Sequence, residues 1–287
     1  MNPDENNARP AAEAPSPTVA DAAPSAEPPR TCDVPLDLQV PWDWVDLLLL
    51  VAIAVGGILV SSMILVSVFG AFGIGPSRIQ HTREDAALFA ICTQVLLYAI
   101  LLGYLAAQMR IRSSSPFWRA IGWRALQAVS VPRPLVWLGY IAGGFLLQIF
   151  VTLASSAFPP RRALPIQMVF EGRTTAMFFM AVAVLLAPLV EETIFRGYIY
   201  PVVARTYGVL ASVLFTGAVF GLLHGSQLGF AWLQVALLIV VGIILTWARA
   251  ATRTVTSSYL LHVSYNSFQV IWFLVASHGL SVLPLAR

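Results

Sequence analysis

Residues Met177–Val203 read MFFMAVAVLLAPLVEETIFRGYIYPVV, an apolar run with Glu191, Glu192 and Arg196 set inside it. A hydrocarbon core is crossed by about 20 mainly apolar residues in a helix, so the run is long enough to span. An ionisable side chain at that depth costs at least ~2.5–3.5 kcal/mol on the insertion scale, so two adjacent carboxylates need compensation or a function. Glu192 and Arg196 stand four residues apart, share a helix face and can neutralise each other. Adjacent helical residues point about 100° apart, which leaves Glu191 on another face with no cation on its own helix. A carboxylate in a dry setting suits general-base work on a water. The plainer alternative is that both Glu bind Arg side chains and only hold helices together.

Outward from this run the rest of the chain has the same character. Of 287 residues 58% are apolar and 11% charged, against about 25% charged in a soluble domain, which argues against an ordinary cytosolic globule. Apolar runs at 45–72, 86–109, 134–157, 174–203, 207–224, 229–248 and 255–276 predict an all-α, polytopic transmembrane helix bundle of about seven spans, with six and eight as bounds. Residues 1–43 hold nine of the nineteen prolines among Ala, Ser, Glu and Asp, a composition expected to be a disordered tail. It shows no short apolar core or cleavage site of a secretory signal. The transmembrane domain is then expected at 44–287, with Trp42 and Trp44 in an interfacial belt.

Charge is unevenly spread. Residues 1–46 carry nine acids and two Arg, and residues 47–287 carry five acids and fifteen Arg. The excess of Arg lies in short loops between apolar runs, the pattern of a membrane protein and not of a nucleic-acid binder. Loop 110–133 with five Arg, together with Arg205, Arg249 and Arg253, outweighs Arg78, Arg83, Arg161, Arg162, Arg173 and Arg287 on the other side, which favours a cytoplasmic tail. Cys32 and Cys92 cannot form a disulfide framework or a Cys-rich metal site.

Beyond residue 46 the other acids, Glu84, Asp85 and Glu171, are expected in loops. Two His lie in later spans. His224 ends Phe220-Gly221-Leu222-Leu223-His224, and His262 and Asn266 are four apart on one helix face. Polar residues in separate spans normally converge on one interior site, because lipid does not tolerate them. Two chemistries fit. Glu191 and His224 can activate water while His262 and Asn266 stabilise an oxyanion. Alternatively Glu191, His224, His262 and Asn266 hold a divalent, zinc-type ion with a position open for water. Gly217, Gly221 and Gly225, and again Gly139 and Gly143, offer small faces for close helix approach.

The three patterns E-E-x-x-x-R (Glu191 to Arg196, followed by Gly197), F-x-x-x-H (Phe220 to His224) and H-x-x-x-N (His262 to Asn266) resemble the CPBP family. That family includes the type II CAAX prenyl proteases and the Abi bacteriocin-immunity proteins. The similarity covers roughly residues 174–270, with the protease core at about 174–276. The resemblance implies an intramembrane endopeptidase, a glutamate- or metal-dependent hydrolase in a bacterial cell membrane. Glu191 would be the base, His224 would help hold the attacking water, and His262 and Asn266 would polarise the scissile carbonyl. Glu192, Arg196 and Phe220 would support them. The implied partners are the lipid bilayer and a peptide or protein substrate in or at the membrane, with a prenylated, CAAX-like substrate as one form. The family's T-G-S-L turn before the last helix reads Arg253-Thr254-Val255-Thr256-Ser257-Ser258 here, without the Gly. Two other classes compete. One is a non-catalytic immunity or scaffold protein that binds a peptide or protein partner. The other is a transporter or proton relay, which would show repeats or broken helices in two halves, and the sequence shows neither.

Overall fold

The computed structural model describes residues 34–126, 132–160 and 164–280. Among these residues every regular element is helical. Seven major helices run in order with two short α-helices and one 3-10 helix (Pro165–Phe170) between them. The α-helices are α1 (Trp44–Ala71), α2 (Pro76–His81), α3 (Arg83–Arg112), α4 (Phe117–Ala120), α5 (Arg133–Ala157), α6 (Arg173–Tyr207), α7 (Val209–Leu223), α8 (Trp232–Thr252) and α9 (Val255–Ala276). Each major helix lies within a few residues of an expected span. By length and composition α1, α3, α5, α6 and α8 are able to cross a membrane. At 15 residues α7 rises only about 22 Å, less than a hydrocarbon core. Ser257, Ser258, His262, Ser264 and Asn266 make α9 more polar than the others.

Local chemistry sets the helix ends. Asp43 caps α1 by accepting from Val45 N and Asp46 N, while the Asp46 carboxylate takes the Asp43 N–H, a reciprocal capping box. Between α8 and α9 the missing glycine is replaced by a left-handed residue. Arg253 takes φ 57°, and Thr254 caps α9 through Thr256 N. The same Thr254 hydroxyl donates to Arg124 O at 2.8 Å, so it pins the loop before α5 to the start of α9.

Helix α7 packs against α8 through Gly217 and Gly221 of the predicted small face, while Gly225 lies past the helix end against Phe230. A Cβ on Gly217 would meet Ile243 N at 2.6 Å, and one on Gly221 would meet Ile239 N at 2.5 Å. In α5 half of the expected pair meets α9, since a Cβ on Gly143 would lie 3.0 Å from Leu261 Cδ2. Gly139 faces open space, and Gly144, with Gly143 beside it, is the residue pressed most closely onto α9, 2.4 Å from Leu261 O for a built Cβ.

The structured domain begins earlier than the composition implied. Its compact unit starts at Val34, not Trp44. Asp37 forms a buried ion pair with Arg249 at 2.9 Å. Leu38 is buried, and Arg205 donates to Val40 O and Trp42 O. Trp42 is not interfacial; it stacks on Tyr198 at 5.0 Å and donates to its carbonyl. Two apolar side chains and one paired acid are enough to dock these ten residues, which the surrounding Pro and Ala conceal. Trp44 is partly exposed and donates to Thr206 Oγ1. Arg249 and Arg205 therefore belong to the last turns of α8 and α6, with their heads turned onto the domain. Glu84 and Asp85 open α3, and Asp85 pairs with Arg78. The disorder expected of residues 1–33 lies outside the described residues, as do Cys32, Arg161, Arg162 and Arg287.

Candidate active site

The centre of α6 is not a regular α-helix. Two π-helical stretches, Val182–Leu186 and Thr193–Ile199, flank the Glu pair. Such wider turns interrupt α-helices mainly where a side chain or carbonyl must be re-aimed. The first has a cause in the sequence. Ala187 N–H bonds Val182 O, five residues back, and the next bond in that register would join residue 188 to Ala183 O. Residue 188 is proline and has no N–H. Asn266 fills the gap, because its Nδ2 donates to Ala183 O at 2.7 Å.

The second stretch carries Arg196, which is wholly buried. Its Nη1 donates to Glu192 Oε1 at 2.9 Å, its Nη2 to Gly242 O at 2.9 Å and its Nε to Thr246 Oγ1 at 3.2 Å. Its guanidinium carbon lies 4.7 Å from the Phe220 ring centroid. Every face of the cation is thus met by a carboxylate, a carbonyl, a hydroxyl or a ring. Gly197 follows it because Ile121 of the pinned loop sits against the helix there, 2.3 Å from a built Cβ.

Glu192 is also wholly buried, and its Oε1 faces His262 Nδ1 at 2.8 Å. A carboxylate in a salt bridge only accepts, so Nδ1 is the protonated nitrogen and the ring is held in one orientation. That orientation aims Nε2 at Glu191, with Nε2 to Oε2 at 3.9 Å. The distance is too long for a direct hydrogen bond and suits one oxygen atom bridging the two groups. Glu191 is slightly exposed, and its other oxygen, Oε1, accepts from the Tyr98 hydroxyl of α3 at 2.5 Å.

The structure therefore joins Glu191, Glu192, Arg196, His262 and Phe220. His224 is attached less directly. It caps α7 with Nδ1 on Phe220 O at 2.8 Å, and its ring lies 4.8 Å from that of Phe220, which in turn stands edge-on to His262 at 5.7 Å. Among the described residues it makes no hydrogen bond to Glu191. Asn266 is one turn beyond His262 with one amide hydrogen committed to Ala183 O.

Residues 173–268 match the family model of the type II CAAX prenyl endopeptidases, Rce1-like. That stretch is similar to the CPBP-type CAAX proteases. No curated protein matches the chain, and no solved structure does. The Rce1-like segment runs from the first residue of α6 to the middle of α9 and so contains all three motifs. Five long apolar helices support an integral membrane protein, and the matched segment lies within it.

The donor set does not favour the metal alternative. Among the described residues no three His, Cys, Asp or Glu side chains gather as ligands would. The contacts of His262 Nδ1 with Glu192, His224 Nδ1 with Phe220 O and the Asn266 amide with Ala183 O fix the orientation of these side chains, as they would with either chemistry. Sequence reading did not find Tyr98, Thr246 or Gly242. Each is an ordinary residue of an apolar helix, and only the packing of α3 and α8 on α6 brings it to the motif.

Proposed function

We propose that the chain is an intramembrane endopeptidase that hydrolyses a peptide bond of a membrane-embedded or membrane-associated, CAAX-like substrate. The observation that carries this reading is the opposition of Glu191 Oε2 and His262 Nε2 across 3.9 Å, with His262 locked from behind by Glu192. A water between them loses its proton to Glu191 as its oxygen attacks the scissile carbonyl. The His262 Nε2 lone pair accepts the water's other hydrogen and so orients it, and Glu191 passes the proton it took to the leaving amine nitrogen as the C–N bond breaks. Asn266 has a second amide hydrogen to offer the oxyanion, and His224 stands on the far side of Phe220 as a further support. Glu192 and Arg196 hold the imidazole and neutralise each other. No step is routed through a metal, since the residues as arranged do not form its ligand set. The Arg-rich loop before α5 favours a cytoplasmic position for that end of the bundle and for the tail.

The test uses the full chain in liposomes with a fluorogenic peptide ending in farnesyl-Cys and three further residues, and the same peptide without the lipid. Wild type is expected to cleave, with no effect of a chelator. Glu191→Ala is expected to lose roughly 100-fold or more in rate with an unchanged thermal midpoint. Unaltered cleavage in Glu191→Ala overturns the reading, and collapse of its fold assigns Glu191 to structure instead.

A further inference from the structure

The geometry points to Tyr98 as the residue that positions the catalytic base: its hydroxyl holds Glu191 Oε1 so that Oε2 is presented to the attacking water beside His262. This rests on Glu191 being the base. Tyr98 lies at the middle of α3, outside the segment that matches the protease family. Its ring is buried in the apolar cluster that includes Leu97, Leu101, Val190, Ile194 and Phe195. A buried phenol needs a hydrogen-bond partner, and here the partner is the carboxylate at 2.5 Å.

The consequence is geometric. A glutamate side chain has three rotatable bonds, and Glu191, unlike Glu192, has no guanidinium to hold it. With Oε1 anchored on α3, the remaining oxygen has one direction left, toward His262 on α9. The phenol and the imidazole come from two other helices, α3 and α9, so the carboxylate is placed by the bundle and not by its own helix. Helix α3 is then part of the active site, and the family core alone is incomplete without it.

Tyr98→Phe removes one oxygen and keeps the ring that packs the cluster. The expected result is a fall of roughly 10- to 100-fold in the single-turnover cleavage rate, the order that misplacing a reacting group costs, with KM and thermal midpoint unchanged. A second readout does not depend on turnover. The infrared carboxylate band that disappears in Glu191→Gln is expected to shift in Tyr98→Phe, because it has lost its phenol donor. An unshifted band overturns the inference, as does a shifted band with a wild-type rate. An inactive Glu191→Gln beside a fully active Tyr98→Phe overturns this inference alone. A fully active Glu191→Gln overturns the proposed function, and this inference with it.

Discussion

Replacing Arg196 by Met tests whether the buried ion pair holds the site together. The side chain is wholly buried and donates to Glu192, Gly242 O and Thr246. Met fills much of the same volume, so the loss is mainly electrostatic. Gly242 O still accepts from the Thr246 hydroxyl at 2.7 Å, and His262 still faces Glu192. What remains is a buried carboxylate stripped of its cation, which costs about 3–5 kcal/mol. Glu192→Leu combined with Arg196→Met removes both charges. Its remaining penalty is the His262 Nδ1–H left without an acceptor, about 1–3 kcal/mol. The double variant is therefore expected to be more stable than Arg196→Met alone, although it has lost the group that orients His262 and cleaves no better. Reversible unfolding in mixed micelles, followed by tryptophan fluorescence, gives both values on one scale. A loss below about 1 kcal/mol for Arg196→Met, or a double variant less stable than the single, would falsify the reasoning, because either requires Glu192 to be solvated or paired elsewhere.

Three further outcomes follow from neighbouring contacts. Gly144→Ala places a methyl 2.4 Å from Leu261 O, so α5 and α9 must separate; stability is expected to fall by about 1–3 kcal/mol and cleavage with it, since His262 is the next residue. Asn266→Ala leaves Ala183 O without a donor beside Pro188 and is expected to cost about 1–3 kcal/mol, read by the same unfolding assay; unchanged stability would show that the amide does not close that gap. Asp37→Ala strands the buried Arg249 cation, with an expected loss of about 3–5 kcal/mol and faster protease nicking within residues 34–43; an unaltered nicking rate would mean that this segment is held without the pair.

Much of the fold was legible because the bilayer leaves few choices. A backbone in hydrocarbon must bond to itself, so a run of about 20 apolar residues means a helix, and seven runs became seven helices. The pairing of Glu192 with Arg196 was legible too, since i,i+4 neighbours on one helix need no tertiary information. Other features were not. The docking of residues 34–43 rests on Leu38, Trp42 and Asp37, too few side chains to show in a composition dominated by Pro and Ala. Which glycines of α5 meet α9 depended on the rotation of α5 about its axis; they proved to be Gly143 and, more closely, Gly144, which was not singled out in the sequence.

The sequence by itself determined the number and extent of the long helices, the place of the polar motifs within them and the likeness of that segment to a protease family. These follow from hydropathy, helical period and residue spacing, all properties of single segments. Only the tertiary structure decided what those motif residues face. The vertical register of α3, α8 and α9 on α6 sets Tyr98 on one side of Glu191 and His262 on the other, turns Glu192 into the group that orients His262, and gives Asn266 the carbonyl that Pro188 leaves free. Contacts between helices arise from packing among segments far apart in the chain, and no local period encodes them.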